Sequence, residues 1–369
     1  MDVTTRNFFR LLRAGAFAEQ VTIEPLSAWK WNKLYQLSLM HGMAAIIHDG
    51  IVACQDQFFM QLPEQLASTW QNTVSEIEGS NRETNMWLSD LIGQLNKVQV
   101  RPIVVKGQAT ATLYDQPLHR TTGDIDIFYP YETQAKKADK WVSEHAEEVD
   151  TSDKGIVRYQ WHGIKAENHR RLQRLSNTLH NHTLQGIIRD EFSSNDAFYV
   201  LINSSRVETV PPTLNLLLML IRITRYIMND GISLKQITDL GIFLRKDGDK
   251  VDYVKLQGWI ERLGLTQFAQ LEGAMLVKLM NFTEDEIPFM QAGGSERIDK
   301  IMEELFVLHN DQFDEWHFEQ GKGVFVHASN MPAMLWHVKR SAKYFRYYPS
   351  ESLANLMTSF ARSLSGIEE

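Results

Sequence analysis

Cysteine is almost absent from this sequence: Cys54 stands alone among 369 residues. A single cysteine forms no disulfide within the chain, and it supplies too few thiolates for a cysteine-rich metal site. The sequence therefore excludes a fold held together by internal disulfides and a zinc site built from cysteines.

Long apolar stretches are also missing. The most apolar one, TLNLLLMLIRITRYIM at 213–228, is interrupted by Arg222 and Arg225 and is too short to span a bilayer. The first residues, MDVTTRNFFRLLRAGAF, lack the basic start, apolar run and cleavage site of a secretory leader. These absences predict a cytoplasmic protein without a membrane partner, and a buried helix at 213–228.

Positive charge is in deficit. The 46 acidic residues outnumber the 38 basic ones, which gives a formal net charge of -8. This balance argues against nucleic acid as a partner, although it leaves room for a local basic patch. Apolar and aromatic residues are plentiful, with 43% hydrophobic residues, 9 tryptophans and 18 phenylalanines. A chain of this length and composition folds around a sizeable core, as two domains or one elaborated domain.

Hydrophobic periodicity divides the chain into three parts. Residues 5–97 carry apolar side chains at helical spacing. Short β-branched runs follow from about residue 100 and predict five strands: one at 100–107, one at 123–130, two within 155–172 that are joined by a tight turn at His162 and Gly163, and a short one within 196–212. Helical spacing returns at Thr213.

We therefore expect an α+β fold, in which a small mixed β-sheet is flanked by N-terminal and C-terminal helical regions. The predicted boundaries are 1–99 for the N-terminal helical region, 100–212 for the α/β core and 213–369 for the C-terminal helical domain.

Two aspartates share one face of a predicted strand in this core. The run GDIDIFYP at 123–130 places Asp124 and Asp126 on the same side, because successive side chains of a strand alternate between faces. Two carboxylates this close repel each other, so replacing either one with asparagine is expected to raise thermal stability without metal. Paired carboxylates also bind hard cations such as Mg²⁺. By itself, however, an Asp-x-Asp is more often a solvated strand edge than a metal site.

A second feature lies upstream, between a predicted strand and a predicted short helix over 107–114. Gly107 stands at this junction, where a glycine lets the backbone approach a ligand closely and the new helix has free N–H groups for a phosphate. Lys106 adds a positive charge suited to phosphate. The order of strand, glycine, helix and a second strand with two aspartates is more specific than any of its parts.

This order resembles the nucleotidyltransferase superfamily headed by DNA polymerase beta. The stretch KGQATATLYDQPLHRTTGDIDIF resembles, more closely, the signature of the uncharacterised nucleotidyltransferases grouped as NTP-transferase type 5, which are common in bacterial genomes. IKAENHRRL is similar to a later strand of that family with Glu-x-His, and GISLKQITDLGIFL to a downstream helix. The chain departs from the pattern at Leu240, where an aromatic residue is usual, and in Lys-Gly-Gln, which replaces the Gly-Ser pair of the wider superfamily.

The resemblance implies attack by an acceptor hydroxyl on the α-phosphate of a nucleoside triphosphate such as ATP, with Mg²⁺ or Mn²⁺ as cofactor. The acceptor is a small molecule or a protein. Glu167 is the expected third carboxylate, since Lys165, Glu167 and His169 share one face of a predicted strand. The implied catalytic and metal-binding residues are Asp124, Asp126 and Glu167; those for the nucleotide are Lys106, Gly107, Gln108, Arg120 and Gly123, and His169 is a possible substrate contact.

Two alternatives stay open at this point. The chain is either an active enzyme or a catalytically inactive protein that keeps the fold as a nucleotide-sensing or protein-interaction module, and the presence of all three carboxylates favours activity. Arg120 either contacts the triphosphate or braces the turn before the second strand, and the sequence favours neither role. A nucleic-acid end-modifying enzyme is disfavoured by the net charge.

Overall fold

The structure is a computed structural model. It describes residues 2–153, 155–194, 196–229, 234–291, 342, 344–354 and 356–357. The predicted C-terminal helical domain, 213–369, therefore lies partly outside the described residues.

Four helices form the N-terminal part, as the periodicity predicts. Helix α1 begins after Asp2, whose side chain accepts a hydrogen bond from the Thr5 amide at 2.7 Å and so caps the helix. Helices α1 and α3 touch backbone to backbone, because a Cβ at Gly15 would lie 1.9 Å from the Ile46 carbonyl oxygen. The helices are α1 (Val3–Phe17), α2 (Ala28–Met40), α3 (Ala44–Ala53) and α4 (Glu64–Lys97).

A seven-stranded mixed sheet follows, with strand order β3-β4-β5-β2-β1-β7-β6. Strand β2 occupies the centre, antiparallel to β1 on one side and parallel to β5 on the other. The predicted α+β fold is confirmed. The strands are β1 (Ile103–Val104), β2 (Ile125–Phe128), β3 (Glu147–Asp150), β4 (Ile156–Trp161), β5 (Ile164–His169), β6 (Phe198–Ile202) and β7 (Ser205–Thr209).

The sheet contains two strands more than the sequence pattern predicts. Residues 196–212 form the hairpin of β6 and β7 rather than a single strand, turning at Asn203 and Ser204, which adopt φ angles of 47° and 63°. The sequence pattern does not predict this turn, because the turn lacks the glycine that usually accompanies positive φ angles. Strand β3 is acidic and mostly exposed at the sheet edge, so it shows no apolar alternation. The turn predicted at His162 and Gly163 does join β4 to β5.

The two faces of the sheet have different surroundings. Ile125, Ile127 and Ala166 lie on the apolar face, in one hydrophobic cluster with the second half of α4 and with helix α6 (Glu132–His145). On the opposite face Phe128 packs against Phe192 of helix α7 (Thr178–Ser193), with ring centroids 5.4 Å apart. The polar residues of β2 and β5 share this second face, next to the five-residue helix α5 (Gly107–Ala111).

The C-terminal helices pack against the N-terminal ones. A single hydrophobic cluster contains Leu11 and Ile47 from the first part of the chain together with Leu217 and Leu276 from the last. The division into three regions therefore remains a prediction. No helix of the described residues is both long enough and apolar enough to cross a membrane. The helices are α8 (Pro212–Asn229), α9 (Leu234–Asp247), α10 (Tyr253–Arg262) and α11 (Thr266–Met280).

Candidate active site

The parallel pairing of β2 and β5 builds the centre of the candidate site. Asp126 stands opposite Glu167, and Phe128 stands opposite His169, so the polar side chains emerge from one face of the sheet. Each of Asp126, Glu167 and His169 has a potential ligand atom within 4.8 Å of those of the other two. We call these three residues the triad. The sequence predicted this proximity for Glu167 from strand alternation.

Hydrogen bonds and ion pairs connect the triad to the helix junction. His169 Nε2 lies 2.6 Å from Asp126 Oδ1 and 3.3 Å from Glu167 Oε2. Lys106 Nζ donates to the same Asp126 oxygen at 3.0 Å. The structure therefore brings four of the predicted site residues together: Lys106 and His169 contact the Asp126 carboxylate, and Glu167 contacts His169.

Asp124 and Asp126 differ in protonation behaviour. Asp124 remains exposed to solvent, but partial burial of its carboxylate, followed by the like charges of Glu167 and Asp126, raises its pKa. Burial also works to raise the pKa of Asp126, but hydrogen bonding from His169 and the charge of Lys106 outweigh it and lower that pKa. This direction favours the ionised form of Asp126, so it predicts a loss of stability in Asp126→Asn, opposite to the gain expected from the sequence.

Arg158 is a site neighbour that the sequence analysis did not identify. It lies on β4 directly opposite Glu167, and its Nε donates to Glu167 Oε1 at 3.0 Å. The signal was present, because counting outwards from the turn at 162–163 pairs residue 158 with residue 167. Glu167 thus has one oxygen towards His169 and the other towards Arg158.

The junction between β1 and α5 has an unusual backbone. Lys106 adopts φ 60° and ψ −145°, a region that residues with a Cβ rarely occupy, and Gly107 follows with φ 31°. A Cβ at Gly107 would lie 3.7 Å from the Asp124 carbonyl oxygen. The predicted phosphate-binding turn is thus adjacent to the backbone that carries the first aspartate.

Gln108 and Gly123, both predicted to contact the nucleotide, meet each other. Gln108 is 1% exposed, and its Nε2 donates to the Gly123 carbonyl oxygen in a long bond of 3.4 Å. Its Oε1 is buried and has no partner among the residues that the structure describes. The side chain therefore joins the helix junction to the loop before Asp124.

Arg120 has the contacts of a brace. Its Nε and Nη2 each donate to one oxygen of Asp239 on α9 at 2.7 Å, and its Nη1 donates to the Gly107 carbonyl oxygen at 3.0 Å. Tyr114 also donates to Asp239, at 2.8 Å. Burial opposes the Arg120 charge, but the Asp239 carboxylate outweighs this effect and raises the pKa of the guanidinium. Sequence reasoning noticed Asp239 only within a motif and gave it no role.

Asn81 of α4 holds the loop from the other side and was missed altogether. Its Nδ2 donates to the carbonyl oxygens of Leu118 and Arg120 at 2.6 Å and 3.0 Å, and its Oδ1 accepts from the Thr122 hydroxyl at 2.6 Å. A lone asparagine in the middle of a long helix gives no sequence signal for such a long-range contact. Together with Arg120 it fixes the chain that leads into Asp124.

Comparison with known proteins gave one match. The model of a family described as an uncharacterised nucleotidyltransferase matches residues 27–281, a range that contains the whole sheet, the triad and the Arg120–Asp239 pair. Neither the curated proteins nor the solved structures include a match.

Proposed function

The chain belongs to the uncharacterised nucleotidyltransferase family, and on this basis we propose that it transfers a nucleoside monophosphate from a nucleoside triphosphate to a hydroxyl group. The acceptor is a small molecule or a protein, and pyrophosphate is released. The observation that carries this proposal is the pairing of Asp126 with Glu167 on adjacent parallel strands, beside the Lys106–Gly107 junction.

The residues of the site fit a divalent cation. Asp126 and Glu167 supply carboxylate oxygens, which Mg²⁺ prefers. The like charges of Glu167 and Asp126 add to burial in raising the pKa of Asp124, and a bound cation would oppose this effect. Mg²⁺ or Mn²⁺ would be held by Asp124, Asp126 and Glu167, and when bound it would offset the charge of the phosphates. Because imidazole is not a preferred Mg²⁺ ligand, His169 orients the two carboxylates in this proposal.

The chain's own residues have separate tasks in the reaction. Lys106 and the Gly107 amide bind phosphate oxygens, where the junction has an N–H group and a positive charge. The acceptor oxygen forms a bond to the α-phosphorus as the bond to pyrophosphate breaks. Glu167 accepts the proton of the acceptor hydroxyl. Arg120 does not touch the nucleotide in this assignment, but positions Gly107 through its carbonyl oxygen.

The direct test is incubation of the protein with each α-labelled nucleoside triphosphate and Mg²⁺ or Mn²⁺, with and without a cell metabolite extract. Mass spectrometry then detects a nucleoside monophosphate adduct on a metabolite or on a protein. The proposal expects an adduct and released pyrophosphate. Asp126→Asn and Glu167→Gln should each reduce transfer by at least about 100-fold, because both remove charge that acts on the transferred group.

Glu144→Gln is the matched control, since Glu144 is an exposed acid on α6. It should leave transfer unchanged. Nucleotide binding without any transfer, under every metal and extract condition, would contradict the enzyme and support the inactive nucleotide-sensing alternative.

A further inference from the structure

His119 joins two helices of the N-terminal part to a turn that precedes the candidate site. Its Nδ1 lies 2.8 Å from Asp49 Oδ1 on α3, and its Nε2 lies 2.8 Å from Glu78 Oε1 on α4. His119 is the last residue of a single turn of 3-10 helix, Pro117–His119, which packs against α4. The residue was not predicted as part of the site.

The two short contacts require a protonated ring. A neutral imidazole has one N–H group, so it donates to one carboxylate and turns a lone pair towards the other. Both ring nitrogens of His119 are at hydrogen-bond distance from a carboxylate oxygen, and only the imidazolium donates to both. The hydrogen bond to Asp49 raises the pKa of His119 above its ordinary value of 6.5, against the effect of burial and with a further contribution from Glu78.

Two further ionisable groups belong to these surroundings, one on each helix. On α4, Arg82 lies 3.6 Å from the second carboxylate oxygen of Glu78. On α3, burial lowers the pKa of His48, the charge of Asp49 opposes this effect, and the charge of His119 lowers the pKa further. His48 therefore titrates below pH 6.5 and His119 above it, so the two histidines respond to pH in separate ranges.

The contacts of His119 are continuous with the chain that carries the candidate site. His119 is followed directly by Arg120, whose Nη1 donates to the Gly107 carbonyl oxygen at 3.0 Å. Asn81 of α4 donates to the carbonyl oxygens of the residues on either side of His119, at 2.6 Å and 3.0 Å. A change at His119 therefore acts on the backbone that positions Gly107 and leads into Asp124.

We propose that His119 is a positioning residue for nucleotide binding. Its imidazolium holds α3 and α4 to the turn Pro117–His119, and thereby keeps the Gly107 junction and the loop before Asp124 in place. Loss of the ring proton leaves one hydrogen bond and directs a lone pair at the other carboxylate, which frees the turn from one helix and lowers nucleotide affinity. This inference deepens the proposed function and rests on it for the identity of the ligand as a nucleotide.

The test is the affinity for ATP with Mg²⁺, measured by calorimetry from about pH 6 to about pH 9 in the parent, His119→Gln and His145→Gln. The parent should bind ATP about 10-fold more tightly than His119→Gln at about pH 6, where the charged hydrogen bond is present. The two affinities should converge as the pH rises above 6.5 and the parent loses the ring proton. Their ratio removes the pH effects of the nucleotide and of the candidate site, which both proteins share. His145→Gln is the control, because His145 is an exposed histidine on α6, and it should bind like the parent at every pH.

Glu78→Gln tests the role of the ring proton while both hydrogen bonds remain possible. The glutamine side-chain oxygen still accepts from Nε2 of His119, but the negative charge that favours the imidazolium is gone. The decline in ATP affinity should therefore move to lower pH in this variant. Histidine NMR titrations, with the His119 signal assigned by its absence from His119→Gln, should show the same downward shift in the pKa of His119.

An affinity ratio that stays constant with pH would show a structural role only and would overturn the proposal. Absence of ATP binding in the parent would overturn it as well, as would a parental His119 that titrates at or below pH 6.5. Where His119→Gln does not fold, Glu78→Gln decides alone, and a pH dependence equal to that of the parent refutes the positioning role. The expected pH dependence in a protein that shows no transfer would keep the positioning role and refute the enzyme. Transfer with a pH-independent ratio would keep the enzyme and refute the positioning role.

Discussion

Asp126 and Asp239 both have cationic partners, but they differ in how many of their carboxylate oxygens accept hydrogen bonds. Asp239 is 6% exposed and accepts bonds on both oxygens from Arg120, with Tyr114 adding a further bond. Asp126 receives both Lys106 and His169 on one oxygen, Oδ1. Both oxygens of Asp239 are therefore occupied, whereas Oδ2 of Asp126 has no hydrogen-bond partner among the described residues and is available to a ligand.

This difference distinguishes a structural ion pair, Arg120–Asp239, from the candidate site around Asp126. A planar guanidinium that pairs with a carboxylate through two parallel bonds fixes geometry, and the Arg120–Asp239 pair does so between the loop and α9. The candidate site instead places Asp124 near two further carboxylates, and burial together with the like charges of Glu167 and Asp126 raises the pKa of Asp124. Asp239 thus supports the fold and Asp126 belongs to the candidate site. The two aspartates are distinguished by whether a carboxylate oxygen remains without a hydrogen bond from the described residues.

The largest effect is expected when the saturated pair is broken. Asp239→Ala leaves the buried Arg120 charge without its carboxylate, so the free energy of unfolding should fall by about 3–5 kcal/mol. Urea unfolding followed by circular dichroism measures this loss. A decrease below about 1 kcal/mol would show that the pair is not a support.

The double variant Arg120→Met with Asp239→Asn sharpens the same comparison. It removes both charges and keeps an acceptor for Tyr114, so most of the lost stability should return. Because Gly107 has lost its bond from Arg120, nucleotide affinity should nevertheless stay below that of the parent. Full recovery of nucleotide affinity in calorimetry would contradict the positioning role of Arg120.

Sequence reasoning predicted the part of the site that depends on strand geometry. Alternation in β2 and β5 placed Asp126, Glu167 and His169 on matching faces, and the change from helical to β-branched patterns located the sheet. Parallel pairing between these two strands brings the side chains together. These features follow from local periodicity, which a single sequence contains.

The supporting residues did not follow from the sequence. Asn81 and Asp239 lie 39 and 119 positions from Arg120 along the chain, and no local pattern records such contacts. Periodicity tells which face a residue occupies, but not which polar groups meet across the interior.

A medium effect is expected at the junction that the Arg120 brace holds. Gly107→Val forces a β-branched side chain into a φ of 31°, which favours glycine, and should destabilise the fold by about 1–2 kcal/mol. The added side chain also blocks close approach of phosphate, so binding of nucleoside triphosphate should be lost while the protein stays folded. Calorimetry with ATP checks the binding and urea unfolding checks the stability. Gly93→Val is the control for an added side chain, because a Cβ there meets nothing within 4 Å. An ATP affinity of Gly107→Val equal to that of the parent would contradict the assignment of Gly107 to phosphate binding.

The smallest expected effect is the change in stability caused by replacing Asp124 or Asp126 with asparagine, and we expect this change to have opposite signs at the two positions. The pKa of Asp124 is raised above its ordinary value of 3.8, so the folded parent loses stability as pH rises from that value through the raised pKa. Asp124→Asn lacks this loss and should be more stable than the parent near neutral pH, by at most about 1 kcal/mol at such an exposed position. The pKa of Asp126 is lowered, so the parent gains stability as pH rises from the lowered pKa to 3.8.

Asp126→Asn lacks that gain and should be less stable than the parent near neutral pH, with the difference vanishing below the lowered pKa. Metal-free melting temperatures of the parent and both variants, measured from about pH 3 to about pH 8, should therefore diverge in opposite directions as pH rises. Mg²⁺ should then raise the Tm of the parent more than that of either variant, because each variant lacks one carboxylate of the proposed cation site. A gain in both variants would mean that repulsion dominates at Asp126 as well, and that Lys106 and His169 do not hold its charge. Equal Mg²⁺ shifts in all three proteins would instead place the cation elsewhere.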